Sequence, residues 1–246
     1  MSLTLRVISL RYSSWSIRAL LSLFHAGAEL DIKTARLELT HQGKPQPVKD
    51  PDAYVREAAA ELARRRALGS VTGNFPVLEV DGTPIHEALA ICEWTAERFP
   101  EAGLWPDEPL QRAQARALSC EMASGFLNLR THMSSHPFAR VPSFVPDGPT
   151  RVEIARVQEI WDRALQASGG PFLFGRFGIV DAMYFPVLTR FETYGVALPT
   201  QLSPYAQALH GHSAVARWRA EARSAPRLAV YDAYIESLGG RVLDPT

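Results

Sequence analysis

The chain has 246 residues, 46% of them hydrophobic, which suits one large packed domain or two small ones. Its 26 basic residues balance 26 acidic ones, so no net field draws it to nucleic acid or to an anionic membrane. The longest stretch free of Asp, Glu, Lys and Arg, residues 193–216, holds two prolines, two glycines and two histidines and does not read as a membrane span.

Residues 3–9 (LTLRVIS) alternate apolar and polar with β-branched members, the pattern of a strand. Residues 16–26 follow with apolar groups at helical spacing and stop at Gly27. A second strand is expected within 30–39, then a polar connection over 40–52 that includes Gly43-Lys44-Pro45-Gln46-Pro47, then a helix over about 53–68. Crossovers of this kind favour parallel pairing. Arg64, Arg65 and Arg66 end that helix and read as its solvated C-terminus.

Val77, Leu78 and Val80 make a short strand, Asp81-Gly82 is a type I′ hairpin signal, and Thr83 to His86 returns antiparallel. A helix from about Glu87 to Arg98 offers Leu89, Ile91, Cys92 and Trp94 to a core. The run PEAGLWPDEP then reads as a linker between domains. Beyond it the patterns are helical: one long helix over 111–133, then segments at 151–168, 179–195, 212–224 and 227–238.

Cys92 and Cys120 lie inside helical apolar patterns, as buried reduced thiols do, and the N-terminus lacks a signal-peptide pattern, so the expected compartment is the cytosol. His132 and His136 have no companion ligands at metal spacing, and no metal site is expected. No glycine-rich phosphate loop and no Ser-His-Asp order is present.

Four motifs in order carry a resemblance: SSWSIR after the first strand, FPVLEVDG, HEALAICEW, and FGIVDAMYFPVLTRF. Together with the layout they resemble the cytosolic glutathione transferases over nearly the whole chain. SSWSIR is most similar to their serine-type branch, including the zeta class. The resemblance implies an α/β thioredoxin-like N-terminal domain (1–98) and an all-α C-terminal domain (111–246), joined by a linker (99–110). It also implies a homodimer that uses glutathione as co-substrate against a small electrophile.

Glutathione must become a thiolate to attack, and a thiolate needs positive potential and hydrogen-bond donors. A serine hydroxyl beside the free N–H groups of a helix start provides both. By the motif match, Ser13 takes the place of the catalytic hydroxyl and Ser14 that of a helper. Serines at this position also suit an N-cap, whatever the chemistry. Arg18 reads as support for the first helix or the domain interface.

The glutathione-binding positions implied are Trp15, Asn74, Phe75, Pro76, Glu87 and Ala88. A cis Pro76 would turn the backbone of Phe75 toward the cysteinyl group, and Glu87 would face the γ-glutamyl ammonium. Two positions depart from the family pattern: Ala88 stands where serine is usual, and Asn74 where lysine is common. Trp15 replaces the cysteine of the zeta motif, which counts against maleylacetoacetate isomerase itself. Gly178 stands at a helix cap where serine or threonine is usual. The second-substrate pocket is expected from Trp15, Met122, Phe126 and Arg130. The reaction is expected to be transfer to an electrophile, with isomerisation, dehalogenation, ether cleavage or peroxide reduction as alternatives. A binding or regulatory protein on the same scaffold is the reading of another class.

Overall fold

A computed structural model describes residues 1–35 and 50–243. In β1 (Leu3–Val7), Leu3, Leu5 and Val7 are buried while Thr4 and Arg6 stay partly exposed, as a two-residue repeat demands. β1 pairs parallel with β2 (Asp31–Thr34) and antiparallel with β3 (Val77–Val80). β3 turns through Asp81-Gly82 into antiparallel β4 (Thr83–His86), giving the sheet order β2-β1-β3-β4. Asp81 and Gly82 have φ values of 48° and 84°, the positive pair that a type I′ turn requires.

α1 (Ser14–His25) packs on α3 (Ala88–Arg98), and α3 lies against β3 and β4. Burying Leu5, Ile17, Leu20 and Leu21 completely contributes roughly 1.5–3 kcal/mol for each side chain. α2 (Pro51–Ala67) buries no residue. Its start comes two residues before the sequence pattern suggests, because the Asp50 carboxylate accepts from Asp52 N–H and Ala53 N–H. Glu61 pairs with Arg64 and Arg65 at 2.7 Å, and all three arginines of the run stand in the last turn. The far part of the expected second strand and most of the 40–52 connection lie outside the described residues.

After α3 the chain makes a single 3₁₀ turn and reaches α4 (Pro109–Ser124). The long helix expected over 111–133 is broken. Gly125 leaves helical geometry, and Phe126 takes the left-handed region (φ 56°) before α5 (Leu127–His132). A Cβ at Gly125 would stand 2.7 Å from the Glu121 carbonyl oxygen, so only glycine fits the break. A single glycine in a helical pattern did not signal a break of this kind.

α6 (Gly148–Ser168) is followed by α7 (Ile179–Thr193), in which every residue but Glu192 is buried. α8 (Ser203–Gly211), α9 (Ser213–Ser224) and α10 (Ala229–Ser237) close the bundle. A two-residue ladder joins β5 (Ala139–Arg140) to β6 (Arg241–Val242). α8 and this ladder were not legible as patterns in the sequence; each is too short to establish a period.

The two units meet along α1, which packs against α7 and α9. Arg18 Nε donates to the Met183 carbonyl (2.8 Å), and Trp218 Nε1 donates to the Leu10 carbonyl (2.9 Å). Gly178 caps α7, with Asp181 accepting from its N–H at 2.9 Å. A Cβ there would stand 2.7 Å from the Leu104 carbonyl oxygen, which explains why a hydroxyl residue does not occupy the cap. Among the described residues no helix is long and apolar enough to cross a membrane.

Candidate functional site

The turn between β1 and α1 is held from several sides. Ser9 Oγ accepts from the backbone N–H groups of Arg11 (3.1 Å) and Tyr12 (3.3 Å). Tyr12 is 2% exposed, and its hydroxyl donates to Asp232 of α10 at 3.0 Å while accepting from the Leu228 N–H. Its ring stacks on Tyr231 at 4.6 Å. His136 Nε2 lies 2.8 Å from the same Asp232 oxygen, and Arg227 Nε donates to the other. Burial, first of all, holds the His136 imidazole below its ordinary pKa. The C-terminal helix therefore anchors the residue that immediately precedes Ser13. Nothing in the sequence signalled this long-range network.

Ser13 is the N-cap of α1. Its Oγ accepts from Ser16 N–H (3.3 Å) and from Ser16 Oγ–H (2.9 Å). Accepting both bonds leaves the Ser13 hydroxyl proton unused by Ser16. The cap reading of Ser13 is thus met.

Ser14 faces inward. It is 7% exposed, and its Oγ accepts from Arg190 Nη2 of α7 at 3.3 Å. Trp15 is half-buried, with the Arg18 guanidinium 4.5 Å from its ring centroid and that of Arg130 at 5.5 Å. The structure thus brings Trp15 and Arg130 together. Met122 and Phe126, expected beside them, are instead core residues at 0% and 6% exposure, and Phe126 sets its ring edge against Tyr184. Met122 is buried on α4, which packs against α7, and Phe126, beyond the end of α4, meets Tyr184 of α7, so both are packing residues.

Across the sheet, Phe75-Pro76 is a cis peptide and both residues are buried. Asn74 is exposed, and Ser70 Oγ donates to its carbonyl. Glu87 precedes α3 as an exposed residue with φ 72° and makes no side-chain cap bond, while Ala88 is 2% exposed in the first turn. The first N–H groups of α3 thus receive no bond from the cap side chain. Among the described residues no group of three or more His, Cys, Asp or Glu is placed to hold a metal.

Residues 150–221 match the family model described as Glutathione S-transferase, C-terminal domain. A glutathione transferase homolog from Burkholderia gl BGR1, solved with bound glutathione, superimposes with a TM-score of 0.65 at 20% identity. That match covers 91% of this chain and 98% of that one. The chain has the glutathione transferase fold. A tau class glutathione S-transferase from mango, Mangifera indica, also superimposes, at TM-score 0.62 and 18% identity over 96% and 98% of the two chains.

Two curated relatives are more similar in sequence over shorter spans. A probable maleylacetoacetate isomerase of Caenorhabditis elegans is 32% identical over 130 residues, covering 48% of this chain and 58% of that protein. The maleylacetoacetate isomerase of Rhizobium meliloti (strain 1021) is 38% identical over 66 residues, 27% of this chain and 31% of that one. Each match spans less than two thirds of the relative's length.

Proposed function

We propose that the protein is a glutathione S-transferase in which Ser13 stabilises the thiolate of glutathione for attack on a small electrophile. The observation that carries the reading is the Ser13 hydroxyl, which accepts twice from Ser16 and keeps its own proton for a ligand at the first turn of α1. The tripeptide would lie along the edge near Asn74, Phe75 and Pro76. Its γ-glutamyl end would reach Glu87 for the ammonium and the N–H groups at Ala88 for the carboxylate.

Trp15 and Arg130 would form the near wall of the electrophile site, and Ser14 would support the turn through Arg190. The relatives named maleylacetoacetate isomerase favour a second reading, glutathione-dependent isomerisation, which starts from the same thiolate. A cytosolic homodimer belongs to the proposal. Sedimentation as a strict monomer at working concentration would remove the dimer.

The test is glutathione-dependent turnover against a panel of electrophiles and cis-enone substrates, with product analysis. Saturable adduct formation supports the transferase, and product isomerised without net consumption of glutathione supports the isomerase. Absence of both, with no glutathione binding, leaves the departures at Ala88 and Asn74 decisive and makes the protein a binding or regulatory member of the fold.

A further inference from the structure

Three arginines from three separate elements gather around the Ser13–Trp15 turn: Arg18 from α1, Arg130 from α5 and Arg190 from α7. Arg18 is completely buried. Its Nε donates to the Met183 carbonyl, and neither Nη atom has a partner among the described residues. Arg190 is 4% exposed and donates only to neutral acceptors: the Met133 and Pro186 carbonyls and Ser14 Oγ. Arg130 is half-buried beside Trp15, with an unpartnered Nε.

Among the described residues none of the three forms an ion pair. Glu153 is the carboxylate felt by Arg130, but its oxygens already accept from Asn128 N–H, Asn128 Nδ2 and Leu129 N–H. The cost of this arrangement is visible in each group. Burial first, and then Arg190 and Arg130, lower the proton affinity of Arg18 well below the ordinary value. Burial likewise lowers Arg190, to about 10, and lowers Arg130. Guanidinium groups nevertheless keep their protons at neutral pH. The region around the turn thus holds three like charges with no directly paired anion among the described residues, Glu153 acting on Arg130 only at a distance, and in a water-poor setting their field reaches farther than it would in solvent.

We propose that Arg18, Arg130 and Arg190 supply a standing positive field beside Ser13 that favours the thiolate of bound glutathione. The inference rests on the thiol-activating reading of Ser13 given above. On binding, the S–H bond breaks heterolytically, its proton passes to solvent, and the electron pair stays on sulfur facing the Ser13 hydroxyl and this field. No bond to an arginine forms, so these are positioning residues acting through charge. The division of labour is distinct: the hydroxyl supplies direction, and the arginines supply potential.

Arg130 is the residue to change, since it is half-buried and the Nε it brings to the turn has no partner whose loss would unfold the chain. Thiolate absorbance of glutathione bound to the wild-type protein, Arg130→Gln and Arg130→Lys is followed across pH, with melting curves to verify folding. The expected result is a bound-thiol pKa raised by about one unit in Arg130→Gln, a tenfold loss of thiolate below both values, and restored by Arg130→Lys. Arg190→Gln and Arg190→Lys repeat the comparison from the buried side. If they fail to fold, the Arg130 pair decides.

A depressed wild-type pKa that is unchanged in Arg130→Gln, or equally raised in Arg130→Gln and Arg130→Lys, overturns the arginine field and leaves Ser13 standing. A wild-type complex that titrates like free glutathione overturns both.

Discussion

Two helix starts carry the residues of the proposed site, and they are built in opposite ways. α1 begins inside a web of bonds: Ser13 caps it, Ser16 returns two hydrogen bonds to that cap, and Tyr12 is tied to Asp232 across the domain boundary. α3 begins with exposed Glu87 in the left-handed half of backbone space and has no side-chain cap. The first terminus has a side-chain cap on its Ser16 N–H and carries a hydroxyl at that cap. The second receives no bond from a cap side chain. On the proposed reading, chemistry that needs a fixed donor would belong at the first, and recognition of a charged amino acid end at the second.

Removing the fixed donor should be the largest single effect. Ser13→Ala is expected to lower kcat by roughly 10²–10³-fold with little change in the glutathione KM, by analogy with the loss of one preorganised donor. The same change removes a cap, so the melting temperature should fall by an amount equivalent to about 1 kcal/mol. Steady-state kinetics and a thermal melt separate the two roles, and a kcat within twofold of wild type would refute the assignment. At the open terminus the pattern should reverse. Glu87→Gln is expected to raise the glutathione KM by roughly tenfold while sparing kcat at saturation, since a charge-assisted bond becomes a neutral one. A change in kcat alone would place Glu87 outside the binding site.

Adding what α3 lacks gives a smaller effect. Ala88→Ser should tighten glutathione by a few-fold, up to about 1 kcal/mol, if the new hydroxyl reaches the ligand carboxylate. Calorimetric titration reads it directly. Weaker binding would mean that the first turn of α3, where Ala88 is 2% exposed, has no room for the oxygen.

The opposite end of α1 sharpens the contrast further, because its bonds depend on neutral imidazoles. Ala214 N–H donates to His212 Nδ1, so His212 Nε2 carries the proton and donates to His25 Nδ1; His25 Nε2–H donates to the Ala102 carbonyl. Burial, and then His25, lower the His212 pKa to about 4. The unfolded chain, with a histidine near 6.5, takes up this proton first. The contribution is therefore complete above pH 6.5 and is lost as pH falls toward 4. Melting temperature should decline through that window, and His212→Gln should flatten the decline.

The sequence was legible where a local rule governs. Alternation in β1, the Asp81-Gly82 turn, the α3 pattern and the arginine run at the end of α2 follow from nearest neighbours and short periods. Ser13 was legible as a cap because a hydroxyl before a helical run follows a local rule. The break at Gly125-Phe126 was not, since a clash with the Glu121 carbonyl cannot be read from a run of helix formers. Met122 and Phe126 matched a pocket stripe and a core stripe equally well, and contact with α7 decided for the core. The Tyr12–Asp232 bond spans 220 residues, so no window in the sequence contains both ends.

The most direct test is the ionisation of bound glutathione, followed by thiolate absorbance across pH in the wild-type protein and in Ser13→Ala. The account predicts a midpoint at least one unit below the ordinary thiol value of about 8.5 in the wild type, moving back toward that value in the variant. Identical midpoints in the two proteins would contradict it.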